Sequence, residues 1–271
     1  MMKLFFSLLS CFPTLVQAEK VYRFGIMPKS IINSFYYPVH DGCEARARFH
    51  GDVICDWVGP EDEDPTGQAQ VDIVNELVDM RLNDTNVYDE LAISVINGPA
   101  LQEPIDRALK AGMSVICFDS DAEMTNRQAY VGTDNIAFGE QLGKVLLQVR
   151  PEGGQFAMMT LPFRNLELRV KGIRNVLQET AWVELQDSLI TVEAEEIAQL
   201  KAKNPQLKAI MPTYGRAMKN SSQWLPFVDS NPDLTFVVAD ALSYQVDLMN
   251  KGYVNGLVGQ LPYEVSAIVE G

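Results

Sequence analysis

Short apolar runs recur along the whole chain, and helical stripes fill the gaps between them; this alternation constrains the fold more than any other feature. The runs are Val21–Met27, Val53–Trp57, Leu91–Ile96, Ser114–Phe118, Gln155–Thr160, Ser188–Val192, Lys208–Met211, Leu234–Ala239 and Gly256–Gly259. Most are flanked by turn residues and apolar throughout, as parallel strands covered on both faces must be.

Between the runs, apolar residues repeat at helical spacing. Val39, Cys43 and Ala47 recur every fourth residue before Gly51, which predicts a helix with a glycine stop. Val71, Val74, Leu77 and Val78 make a second stripe after the turn Pro65-Thr66-Gly67, and Ile105, Ala108 and Leu109 a third, closed by Gly112. Leu166, Val170, Ile173 and Leu177 make a fourth. Strands joined through helices of this length imply right-handed βαβ units and open parallel sheets, an α/β class. The 271 residues suffice for two such domains.

The formal charge is −14, from 22 basic and 36 acidic residues, which argues against a nucleic-acid partner because that affinity rests on Lys and Arg at phosphates. Residues 1–18 read as an export signal: Lys3, the mostly apolar stretch from Leu4 to Val16, then Val16-Gln17-Ala18 with cleavage before Glu19. A rival reading makes Leu8-Leu9-Ser10-Cys11 a lipid-attachment box. In either case the expected location is periplasmic or extracellular. No later segment is apolar for the ~18 residues that a membrane span needs. In an oxidising compartment Cys43 and Cys55 are a candidate disulfide, and an edge position for the second strand would bring their Cα atoms within reach. Cys117 reads as a buried strand residue. The acidic run Glu61-Asp62-Glu63-Asp64 reads as a solvated loop, since it lacks the spacing of a calcium loop. No phosphate loop, nucleophile elbow or metal-ligand spacing appears, so neither cofactor nor metal is expected. With His40 and His50 the only histidines, a Ser/His/Asp triad is disfavoured.

Ligands of open parallel sheets bind beyond the carboxyl ends of the strands. Here those ends carry Pro28-Lys29-Ser30, Asn33 to Tyr37, Trp57, Ser94, Asp119-Ser120-Asp121, Arg164-Asn165 with Arg169, Thr213-Tyr214, Asp240 and Gln260. Carboxylates accept from adjacent hydroxyls, Arg donates through a planar fork, and aromatic faces cover the C–H surface of a sugar ring; together they suit a polyol.

The chain resembles the type 1 periplasmic sugar-binding family, the ribose/galactose group, in the order and spacing of several stretches. These include Phe24 to Ser30, Asn33 to Tyr36, Gln68 to Leu77, Ala92 to Val95, Ala111 to Asp121, Arg127 to Asn135, Arg169 to Gly172, Asp240 and Gly259 to Pro262. Met27-Pro28-Lys29, Gly59-Pro60 and Asp119-Ser120-Asp121 look most like the subgroup of autoinducer-2 and rhamnose receptors. The resemblance implies two doubly wound lobes joined by hinge strands near Gly132 and Gln260. The N-terminal lobe would span 19–131 plus 262–271, and the C-terminal lobe 133–260. Members of the family continue past the helix begun by Pro262, and Gly271 falls within that helix. By position, the implied ligand contacts are Lys29, Asn33, Phe35, Tyr36, Ser94, Asp119, Asp121, Arg169, Tyr214, Asp240 and Gln260. The implied activity is binding without turnover of a sugar or sugar-like ligand, and delivery to a membrane permease or sensor. The competing class is an extracellular hydrolase or isomerase built on carboxylates alone.

Overall fold

The computed structural model describes residues 20–83, 88–190 and 194–263. The expected export signal, and all but the start of the 262–271 segment, lie outside them. The described chain forms two parallel five-stranded sheets. The first holds β1 (Tyr22–Met27), β2 (Val53–Trp57), β3 (Glu90–Ile93), β4 (Ser114–Phe118) and β5 (Ala129–Val131), in the order β2-β1-β3-β4-β5. Its helices are α1 (Tyr37–His50), α2 (Gln68–Leu82) and α3 (Gly98–Lys110).

Alternation along each strand sends side chains to two cores. Met27, Leu91, Ile93, Val115 and Cys117 pack with Val74, Leu77, Leu101 and Ile105 of α2 and α3. Ile26, Ala92, Ile116 and Phe118 face the other way, against Val39 and Cys43 of α1. Both faces of the sheet are therefore covered, and its strands read as continuous apolar runs. The α1 helix ends where its glycine predicts: Gly51 takes φ 82°, and its N–H donates to Ala47 O at 2.9 Å.

The second sheet follows the same plan. Along the chain come α4 (Asn135–Val149), β6 (Gly154–Met159), α5 (Arg164–Leu177), β7 (Trp182–Ile190) and α6 (Ala194–Lys203), then β8 (Leu207–Pro212), α7 (Ser221–Asp229), β9 (Thr235–Ala239), α8 (Ser243–Asn250) and β10 (Gly256–Val258). The strand order is β10-β9-β8-β6-β7. Phe156, Met158, Ala209, Met211 and Val237 meet Phe138, Leu142, Ile173 and Leu177 of α4 and α5 on one face. Ala157, Met159, Ile210, Phe236 and Val238 meet Trp224 and Leu248 on the other.

Several boundaries differ from those expected. The third run leaves its sheet after Ile93, so Ser94 to Ile96 are loop. The short β5 carries no periodic signal of its own. The strand expected at Ser188–Val192 begins at Trp182 and is described to Ile190, its expected end lying outside the described residues; β7 is an edge strand, with Trp182 buried and Val183 exposed. Its first half, Trp182 to Asp187, mixes apolar with polar residues and so shows no apolar run.

Cys43 on α1 and Cys55 on β2 form a disulfide with Cα atoms 6.1 Å apart, and β2 is an edge strand. Cys117 is a buried free thiol, which burial pushes up to a pKa of about 12. Helices α4 and α5 lie against each other with glycine at the contact: a Cβ on Gly139 would run into the Arg169 carbonyl oxygen, and one on Gly172 into that of Ile136. This close approach sets the position of Arg169 on α5.

Candidate functional site

Two aspartates occupy equivalent places in the two sheets. Asp119 follows β4 and Asp240 follows β9, each in the left-handed region, with φ 58° and 70°. Each sends its N–H to the neighbouring strand, Asp119 to Val131 O at 3.0 Å and Asp240 to Val258 O at 2.7 Å. Asp tolerates this conformation better than most residues with a Cβ. The kink turns each carboxyl out of its sheet, and both line one pocket.

Asp119 is the buried centre of the N-terminal side. Its Oδ2 accepts from Ser94 Oγ at 2.8 Å and Tyr36 OH at 3.0 Å, and lies 3.2 Å from Lys29 Nζ. Burial alone would raise its pKa, but Lys29 and Arg169 together with the two hydroxyls outweigh burial and hold it below the ordinary value. Asp119 is thus a fixed anion. The same burial, with the negative charges of Asp119 and Glu63, pushes the Tyr36 hydroxyl well above its usual value and keeps it a donor.

Arg169 and Asp240 supply the C-terminal side. Arg169 is 2% exposed; it donates from Nε to Asn135 Oδ1 and from Nη1 to Thr213 O, both at 2.9 Å, and its guanidinium lies 4.4 Å from the Phe138 ring centroid. Asp240 Oδ1 accepts from Gln260 Nε2 at 2.6 Å, and Gln260 Oε1 accepts from Thr133 Oγ1 at 2.6 Å. Burial dominates at Asp240 and raises its pKa, with Arg169 and Gln260 opposing. A Cβ on Gly215 would meet Asp240 Oδ2, so a larger residue there would displace the carboxylate.

The pocket between these groups has a cavity volume of about 60 Å³ and opens to solvent. Of the residues expected from the sequence, Lys29, Asn33, Phe35, Tyr36, Asp119, Arg169, Tyr214, Asp240 and Gln260 line it. Ser94 stands behind Asp119. Asp121 stands apart: its carboxylate is held by Arg127 in a two-pronged pair at 2.7 and 2.6 Å, and it borders a different recess. Thr213 Oγ1 donates to Met159 O, and Trp57 stacks near His40 and donates to Ile31 O, so neither lines the pocket. Arg164 is half-exposed beside Glu123 at 3.3 Å.

The acidic run is corrected at one residue. Glu63 is not solvated: its side chain is 8% exposed, lines the pocket, accepts from Asn33 Nδ2 at 2.7 Å and pairs with Arg216 at 3.3 Å. Four neighbouring acids carry the signature of a surface loop, and nothing local distinguishes the one that turns inward. Phe163, Leu161, Leu166, Gly215 and Arg216 were also not singled out as contacts and line the pocket; Phe163 lies with its ring 4.9 Å from Lys29 Nζ.

The two lobes meet around this pocket. Lys29 Nζ and Ser120 Oγ both reach Asn165 Oδ1 at 3.4 Å, Glu123 meets Arg164, Glu63 meets Arg216, and Ile96 packs into the core of the second sheet. Chemically the arrangement is a solvent-accessible cleft, bridged by contacts from both lobes, with charges of both signs and aromatic walls.

A family model described as "Periplasmic binding protein domain" matches residues 24–269. The D-allose-binding periplasmic protein of Escherichia coli K12 is 21% identical over 260 residues, which cover 90% of this chain and 81% of that protein. Among solved structures, an ABC transporter solute binding protein from Burkholderia graminis, in complex with D-arabinose, aligns with TM-score 0.80 at 22% identity, over 93% of this chain and 87% of that one. Another, from Agrobacterium vitis and bound with α-D-tagatopyranose, aligns with TM-score 0.80 at 19% identity, over 91% and 86%.

Proposed function

The chain belongs to the periplasmic binding protein domain family, and from that premise we propose that it is an exported receptor for a sugar or sugar-like polyol. The observation that carries this reading is the facing of a buried, ionised Asp119 on one lobe with Arg169 and Asp240 on the other. Asp119 accepts from ligand hydroxyls, Arg169 donates to them, and Asp240 with Gln260 reads a further hydroxyl. Phe35, Tyr36, Tyr214 and Phe163 supply the faces that cover ring C–H groups.

The lobes are residues 19–131 with 262–271, and 133–260, hinged near Gly132 and Gln260. The Thr133–Gln260–Asp240 chain of hydrogen bonds links that hinge directly to the cleft. A ligand held by both lobes binds the closed form better than the open one, and this difference in affinity drives closure. The closed surface is then presented to a membrane permease or sensor. Export by the segment 1–18 accords with the periplasmic relatives.

The raised carboxyl of Asp240 beside the ionised Asp119 is the one feature that favours the enzyme reading, because acid–base chemistry uses such unequal pairs. A panel of D-allose, D-arabinose, D-xylose and D-tagatose, read by thermal shift and then by mass spectrometry of the recovered sugar, tests both. The receptor reading expects a melting shift with the sugar recovered intact. No shift with any sugar overturns it, and a chemically altered sugar favours the enzyme.

A further inference from the structure

We propose that Glu63 determines the charge preference of the cleft: by neutralising Arg216 across the mouth, it admits uncharged sugars and rejects those bearing a terminal anion. This rests on the reading of the cleft as a sugar site.

The pocket is lined by three cations, Lys29, Arg169 and Arg216, and three acids, Glu63, Asp119 and Asp240. Lys29 lies against Asp119, and Arg169 acts electrostatically on both Asp119 and Asp240. Arg216 is the most exposed of the three cations, with 46% of its side chain accessible, and it faces Glu63 at 3.3 Å. Glu63 itself is almost fully enclosed and further fixed by Asn33 Nδ2 at 2.7 Å.

The pair spans the two lobes, with Glu63 between β2 and α2, and Arg216 after β8. Closing the cleft therefore brings the carboxylate onto the guanidinium. A ligand carrying its own phosphate or carboxylate at this end must compete with Glu63 for Arg216 and lie beside a buried like charge. A neutral hydroxyl meets neither obstacle. Removing the charge while keeping the shape, as in Glu63→Gln, leaves Arg216 an unneutralised fork suited to a phosphate or carboxylate.

The test uses the tightest-binding neutral sugar of D-allose, D-arabinose, D-xylose and D-tagatose, and the terminal phosphate ester of that same sugar. Both are titrated by calorimetry into the wild-type chain, Glu63→Gln and Glu63→Gln/Arg216→Gln, after circular dichroism shows each to be folded. The wild type should prefer the neutral sugar by at least about 100-fold. Glu63→Gln should narrow that preference at least about tenfold through tighter phosphate-ester binding, and the double variant should lose the gain. Because Gln fills the same volume as Glu, a gain cannot come from added room. A preference unchanged within threefold in Glu63→Gln, or a gain that survives removal of Arg216, overturns the assignment of Glu63 and leaves the sugar reading standing. Failure of every neutral sugar to bind the wild type overturns the sugar reading and this inference together.

Discussion

Asp119→Asn isolates the charge that organises the cleft. Asn keeps the shape of the side chain, and like Asp it tolerates the left-handed backbone at this position, φ 58°. What changes is the compensation of Lys29, whose Nζ is 3.2 Å from Asp119 Oδ2 and whose side chain is 5% exposed. Its remaining polar contact is Asn165 Oδ1 at 3.4 Å, a long bond to a neutral acceptor. Removing one partner of a buried ion pair costs about 3–5 kcal/mol. Asn still offers Ser94 and Tyr36 an acceptor, so the lower end, about 3 kcal/mol, is expected for unfolding in urea at pH 7. Lys29→Met in the same chain removes the stranded charge and should recover most of that loss, because apolar replacement of a whole buried pair is often neutral or better. The pH dependence follows from the depressed pKa of Asp119. Its stabilisation is complete above the unfolded-state value near 3.9 and is lost as pH falls through the lower folded-state value, so the gap between wild type and variant should close in acid. Asp119→Asn within about 0.5 kcal/mol of wild type at pH 7, or a double variant less stable than Asp119→Asn alone, would refute the claim that this pair is a closed electrostatic unit.

The opposite sign is expected at Asp240. Burial raises its folded-state pKa, so its ionised form opposes folding above that pKa and the opposition fades as pH falls toward the unfolded value. Asp240→Asn, which can still accept from Gln260, should therefore melt higher than wild type at neutral pH and lose that advantage in acid; a lower melting temperature at pH 7 would contradict the burial argument. Cys43→Ser/Cys55→Ser opens a loop with a sequence separation of 12 and should cost about 3 kcal/mol by loop entropy, read in denaturant. Thiol labelling of the unfolded, non-reduced wild type, mapped by mass spectrometry, should leave Cys43 and Cys55 unlabelled while Cys117 reacts, and labelling of both Cys43 and Cys55 would count against the bridge.

The architecture was legible because most strands are buried on both faces, which gives apolar runs that no surface element imitates. Two strand ends were legible for the same reason: Asp119 and Asp240 directly follow apolar runs and both line the pocket, whereas Arg169 reaches it from within α5. At the edge strand β7, polar residues interrupt the first half of the strand, so the apolar signal begins only near its end and the boundary was misplaced. Asp121 and Glu63 show the limit more sharply. Both are acids near a strand end, yet Asp121 turns aside to Arg127 while Glu63 turns inward to Asn33 and Arg216. Those partners lie 6, 30 and 153 residues away in sequence, and only for Asp121 does a local segment hold the answer.

We propose that a sugar is held between Asp119 on one lobe and Arg169 on the other. Titration calorimetry of the best-binding sugar of the panel into wild type, Asp119→Asn, Arg169→Met and the surface control Glu103→Ala tests it directly. Each hydrogen bond to a charged group contributes about 1.5–3 kcal/mol, so both cleft variants should bind about 10- to 150-fold more weakly, with the control unchanged. Binding by both cleft variants within threefold of wild type would place the sugar elsewhere on the molecule.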